Sequence, residues 1–145
     1  MERRFLRAAA TLPAMAYSQQ TTDHFENPRN VGSLDGGSPC VGTALVGSPG
    51  VGEVIRLQIR IDPATGLIGE ARFKAYGSGA AIAAASLATE WLCGRAPDTA
   101  LAIAGTDIVR ELGLPPERVH CAILVAEAIE AAVSDYRAKH GQTIS

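Results

Sequence analysis

All strand character in this chain lies between residues 41 and 75, and all long helical character follows it. Val41 to Val46 and Val54 to Ile61 carry the alternation and branched side chains of strands, and Leu67 to Ala75 repeats the pattern after the turn Asp62-Pro63-Ala64-Thr65-Gly66. Three such segments with short connections predict an antiparallel meander that leaves one face for helices. From Gly79 the period changes. Ala80 to Leu92 is a run of good or tolerated helix formers ended by Gly94 and Pro97, and its alanine-rich face lets a sheet approach closely. Asp98 to Ala104 and Thr106 to Leu112 predict two short helices, the second with Thr106 as N-cap. Cys121 to Lys139 predicts a long amphipathic helix with Ile123, Leu124, Ile129, Val133 and Tyr136 on or near its buried stripe. Strands first and helices after imply an α+β domain of two layers, a three-stranded antiparallel sheet packed against helices.

Ahead of the sheet, Tyr17 to Phe25 has the length and polarity of a short helix, stopped by Asn27-Pro28, and a mobile Gly-, Ser- and Asp-rich stretch follows from Val31 to Pro39. The segment 1–15, with Arg3, Arg4 and Arg7 and a single acid, reads as a leader outside the domain, the domain itself as residues 16–140, and 141–145 as a tail. Such a leader fits either a bacterial extension upstream of Met15 or an organellar transit peptide, and it is too poor in apolar residues for a secretory signal. The corresponding expectations are the bacterial cytoplasm or, as the alternative, the mitochondrial matrix.

A length of 145 residues suits one domain with a core that needs no staple, and a net charge of −2 gives no broad basic field for nucleic acid or an anionic membrane. No apolar run approaches the roughly 20 residues that span a bilayer. The three cysteines, Cys40, Cys93 and Cys121, form neither a C-x-x-C pair nor an even disulfide framework, which suits a reducing compartment. Gly77-Ser78-Gly79 lacks the other members of a nucleophile elbow, so nothing points to a hydrolase or another enzyme.

Asp23-His24-Phe25-Glu26-Asn27-Pro28-Arg29-Asn30-Val31-Gly32 near the start and Leu114-Pro115-Pro116-Glu117-Arg118-Val119-His120-Cys121 near the end resemble the IscU/NifU-N family of iron–sulfur cluster assembly scaffolds. Val46-Gly47-Ser48-Pro49, Ala71-Arg72-Phe73-Lys74, Leu87-Ala88-Thr89-Glu90-Trp91 and Thr106-Asp107-Ile108 match in order and spacing, so the resemblance runs from about Ala16 to about Lys139. It implies the same α+β fold.

The resemblance also implies a ligand set: three cysteines, in the loop after the first strand, at the start of the central helix and at the start of the last helix, completed by an acid and a histidine. This chain departs from it. Where such scaffolds read Ala-Cys-Gly-Asp it has Gly50-Val51-Gly52-Glu53, and where they read Tyr/Phe-Gly-Cys-Gly-Ser it has Tyr76-Gly77-Ser78-Gly79-Ala80. The carried-over positions are therefore Val51, Ser78, Cys121, Glu53 and His120. Hydrocarbon cannot ligate and a neutral hydroxyl replaces a thiolate poorly. Cys93 lies fifteen residues along a helix from Ser78, about 20 Å away. Cys40 precedes the first strand and stands a similar distance, about 20 Å, from the loop position.

Cys121 begins a helix, where the dipole favours a thiolate able to accept persulfide sulfur. Glu53, His120 and Cys121 together offer mixed oxygen, nitrogen and sulfur donors suited to zinc or ferrous iron, with [2Fe-2S] poorly served, and Lys74 is expected at the same end of the sheet. Leu114-Pro115-Pro116-Glu117-Arg118 resembles the segment by which these scaffolds engage an Hsp70-type chaperone, and its prolines predispose it to an extended form. The implied partners are a cysteine desulfurase, the Hsp70-type chaperone with its co-chaperone, and a cysteine-complete scaffold paralogue. Three readings follow: an accessory or regulatory paralogue that keeps partner surfaces without a full cluster site; a residual sulfur or metal carrier, including a cluster shared by two chains; and recruitment of the fold to another binding role.

Overall fold

The computed structural model describes residues 18–48, 50 and 52–141. The expected leader 1–15, Ala16, Tyr17, Pro49, Val51 and residues 142–145 of the expected tail lie outside them. Helix α1 (Gln19–Glu26) is followed by β1 (Val41–Ser48), β2 (Glu53–Ile61), β3 (Ile68–Tyr76), α2 (Gly79–Leu92), the single turn α3 (Pro97–Ala100), α4 (Gly105–Leu112), a 3-10 turn (Pro116–Arg118) and α5 (Val119–Lys139).

The strands form an antiparallel meander in the order β1-β2-β3, with Leu57 between Ala44 and Phe73. Ile55, Leu57, Ile59 and Ile61 point one way from β2 and are 2% exposed or less, so this face is the core. On it lie α2 and α5. Six of the buried residues of α2 are alanine, including Ala80, Ala84 and Ala88, and these short side chains let the helix bed between the sheet, α1 and α5. Helix α5 buries Cys121, Ala122, Val125, Ala128, Ile129, Ala132 and Val133. The α+β architecture is the expected one.

Four local expectations change. Ile123 falls off the α5 stripe and is 51% exposed, because a residue two positions after Cys121 is turned about 200° around the helix. Of the segment 98–104, only residues 98–100 are helical, within the turn Pro97–Ala100. Ala104, not Thr106, occupies the N-cap position of α4; its backbone is extended, and its N–H donates to the Asp107 carboxylate at 3.0 Å. The stretch after Asn30, expected to be mobile, is tied down: Gly32 N–H donates to Phe73 O at 3.0 Å, Leu34 N–H to Gln58 Oε1 at 2.7 Å, and Lys139 Nζ to Gly36 O and Val41 O at 2.7 Å each. Its polar composition serves bonds to the sheet and to the end of α5.

Candidate functional site

Three elements end at one corner of the sheet. Glu53 opens β2 on the inward face opposite Ser48, Ser78 caps α2, and His120 and Cys121 lie in the first turn of α5. Two glycines frame Glu53. A Cβ on Gly47, at φ +88, would meet the Glu53 carbonyl oxygen at 2.1 Å, and one on Gly77, at φ +150, would meet Glu53 Cγ at 2.9 Å. Only glycine tolerates both the conformation and the approach.

Ser78 is extended at φ −71, ψ 162, and its Oγ accepts from Ala81 N–H at 3.2 Å, which orders the start of α2. The same hydroxyl donates to Glu53 Oε2 at 3.1 Å and lies 3.6 Å from Cys121 Sγ. Cys121 Sγ donates to Glu53 Oε1 at 3.4 Å, and His120 Nε2 stands 3.4 Å from Glu53 Oε2 and 3.7 Å from the thiol. One ligand atom each from Glu53, His120 and Cys121 lies within 4.8 Å of the others. Glu53 and Cys121 are buried, whereas the His120 side chain is 58% exposed, so the group opens to solvent on its histidine side.

The thiol is not poised as an anion. Burial pushes Cys121 up to about 11; the Glu53 charge and hydrogen bond add to this, while the Ser78 hydroxyl and the Arg118 charge oppose it. Desolvation and a neighbouring carboxylate thus outweigh the helix dipole invoked from the sequence.

The other sequence candidates lie apart. Val51 falls outside the described residues. Cys93 follows α2 at the end away from Ser78 and is exposed, and half-buried Cys40 precedes β1, where its carbonyl accepts from Ile61 N–H at 2.9 Å. Lys74 faces the other side of the sheet, beside Arg56, and so is not brought to the site. In the segment 114–118, Leu114 is buried as an anchor and Pro115 is extended, but Pro116–Arg118 closes into a 3-10 turn presenting Pro116 and Glu117 to solvent, so the extended form stops at Pro115.

Two features escaped the sequence reading. The first is a buried network: Arg29 N–H donates to Ser86 Oγ at 2.9 Å, Ser86 Oγ lies 2.7 Å from His24 Nδ1, and His24 Nε2 faces Glu90 at 3.5 Å. The Arg29 bond leaves the serine proton for Nδ1, which assigns the Nε2–H tautomer. The second is a cavity of about 230 Å³ beside the site, lined by Gly47, Glu53, His120, Ile123, Leu124 and Glu127. The spacing i, i+3, i+4, i+7 from His120 to Glu127 signals a shared helical face.

Residues 16–143 match the family model described as the NifU-like N terminal domain. The iron-sulfur cluster assembly scaffold protein IscU of Azotobacter vinelandii is 54% identical over 127 residues, covering 88% of this chain and 98% of the relative. That of Escherichia coli K12 is 53% identical over 125 residues, 86% and 97% of the two chains. Among solved structures, a putative iron-sulfur cluster assembly scaffold protein for the SUF system from Fervidobacterium islandicum superposes with a TM-score of 0.65 at 17% identity, covering 82% of this chain and 97% of the other. A NifU-like protein (N-terminal) from Brucella abortus gives 0.59 at 16% identity, with coverages of 87% and 95%, and both share the fold. Matched along nearly its whole globular length, the chain belongs to the NifU-like N-terminal domain family as an IscU-like, scaffold-type member.

Proposed function

We propose that this chain is an accessory or regulatory member of iron–sulfur cluster assembly, one that keeps partner-binding surfaces but does not hold a conventional cluster by itself. The observation that carries the reading is the pairing at the site corner: Ser78 Oγ stands 3.6 Å from Cys121 Sγ, so one of two adjacent donors is a hydroxyl, and the remaining thiol is held protonated. A cluster is held mainly by thiolates, and this donor set does not fit one. Val51, a hydrocarbon at the third position, adds no donor.

The partners of this reading are a cysteine desulfurase, an Hsp70-type chaperone with its co-chaperone, and a cysteine-complete scaffold paralogue. Exposed Pro116 and Glu117 at the turn into α5 support the chaperone contact, and Arg118 keeps a positive charge beside them. The names of the relatives place them in cluster assembly. For this chain the proposed compartment is the bacterial cytoplasm, with the mitochondrial matrix as the alternative. Among the described residues, no helix is long and apolar enough to cross a membrane.

Anaerobic reconstitution with iron, sulfide and desulfurase, followed by absorption spectra and metal analysis, tests the reading. The expected result is no stable cluster absorption from the monomer; a robust monomeric cluster overturns it.

A second reading is favoured by the gathering of Glu53, His120 and Cys121 within 4.8 Å. These donors suit zinc or ferrous iron, and Cys121 is the one sulfur there able to carry persulfide or to share a cluster with a second chain. Stoichiometric metal retained through desalting, and lost in both E53Q and C121S, would select this reading.

A further inference from the structure

We infer that the open edge of β1 and the adjoining face of α5 form a docking groove for an extended segment of a partner protein that carries a lysine or arginine side chain. The first support is the pairing of the edge strand. Ile61 N–H bonds to Cys40 O on the β2 side, whereas Thr43 N–H points outward and bonds to Asp135 Oδ2 on α5 at 2.8 Å. By the alternation of an antiparallel ladder, the Leu45 N–H and C=O also point outward. No described side chain bonds them, and the Leu45 side chain is 69% exposed. Asp135 fills the edge at Thr43; one turn back along α5 stands Ala131, too short to do so, and two turns back stands Glu127.

The second support is what lies where the edge runs open. The cavity of about 230 Å³ has Ile123 and Leu124 as its apolar wall, with Glu53 and Glu127 as its two carboxylates. Neither carboxylate forms an ion pair with a lysine or arginine among the described residues; Glu53 faces only Ser78, His120 and Cys121. An aliphatic stem on the wall with a cationic head between the acids satisfies both, while a partner strand pairs with Leu45. An acidic segment would be repelled. The inference does not depend on whether metal binds at Glu53.

The test is a titration of metal-free, full-length protein with acetyl-Thr-Val-Arg-Val-Thr-amide, observing the Leu45 amide and the Ile123 and Leu124 methyls by NMR. Saturable shifts at these three residues are expected, weakened at least tenfold when citrulline or glutamate replaces arginine in the peptide or when Glu127 is changed by E127K, which alters an exposed residue and leaves the fold intact. Absence of shifts up to about 10 mM, or equal response to the glutamate peptide, overturns the inference. If the peptide binds only after residues 1–15 are removed, the groove belongs to the chain's own basic leader, and the partner assignment falls.

Discussion

Cys121 Sγ and Glu53 Oε1 meet at 3.4 Å across 68 residues of sequence, with the thiol as donor and the carboxylate as acceptor. The contact makes the only cysteine at the site corner an acid's hydrogen-bond partner, which sets its chemistry.

Cys121 should therefore react slowly with iodoacetamide near neutral pH, far behind exposed Cys93, with a rate that climbs toward pH 11. Because the Glu53 charge raises the thiol and the Ser78 hydroxyl lowers it, E53Q should accelerate alkylation of Cys121 at pH 8 and S78A should retard it further. Peptide mass spectrometry reads each site separately. The unfolded thiol loses its proton near pH 8.5 and the folded one near 11, so the stability linked to this group is complete below about 8.5 and is lost as pH rises through 11.

His24 is held below the ordinary imidazole range, first by burial and then by the Arg29 charge, against the opposing pull of Glu90, Asp23 and Glu111. An unfolded histidine takes up a proton sooner, so stability should be full above about pH 6.5 and fall as the pH drops toward the folded-state value. H24Q should flatten that acid limb in urea titrations. S86A, which strips a hydroxyl bonded to both Arg29 N–H and His24 Nδ1, should cost about 2 kcal/mol at pH 7.5.

Gly47 tests the frame around the site. G47A forces a Cβ toward the Glu53 carbonyl at φ +88 and should cost roughly 2 kcal/mol or more, with a lower Tm by differential scanning fluorimetry. Gly66, at φ +75 with no neighbour within 4 Å, is the control: G66A should cost less, through conformation alone.

Restoring donors tests the proposed function. The double variant V51C/S78C should gain cluster absorption on anaerobic reconstitution, whereas S78C alone should gain far less, because two thiolates still leave the set incomplete. A folded double variant, as judged by circular dichroism, that remains colourless would mean that the loops around these positions have diverged as well.

The kinds of elements, and the extents of the strands and long helices, were legible in the sequence because they rest on short-range rules. Branched alternation marked β1, β2 and β3, and the alanine run and its Gly94-Pro97 stop marked α2. Cys93 could be set apart from Ser78 by helical rise per residue, and Cys40 from the loop position of Val51 by strand rise per residue. The identities at the site were legible too, since Glu53, Ser78, His120 and Cys121 stand at positions of a familiar pattern.

Tertiary structure decided what those groups are to one another. Whether Cys121 is a thiolate depended on burial and on Glu53, neither visible from its place at a helix start, where the dipole alone argued the opposite. Ile123 looked like core because it is apolar at a plausible spacing, and only the packing of α5 on the sheet turned it outward into the cavity wall. The His24–Ser86 bond joins α1 to α2 across 62 residues, and no local propensity encodes such a pairing. Local sequence sets backbone conformation through sterics and nearby hydrogen bonds, whereas charge state and exposure are properties of the assembled dielectric around each group.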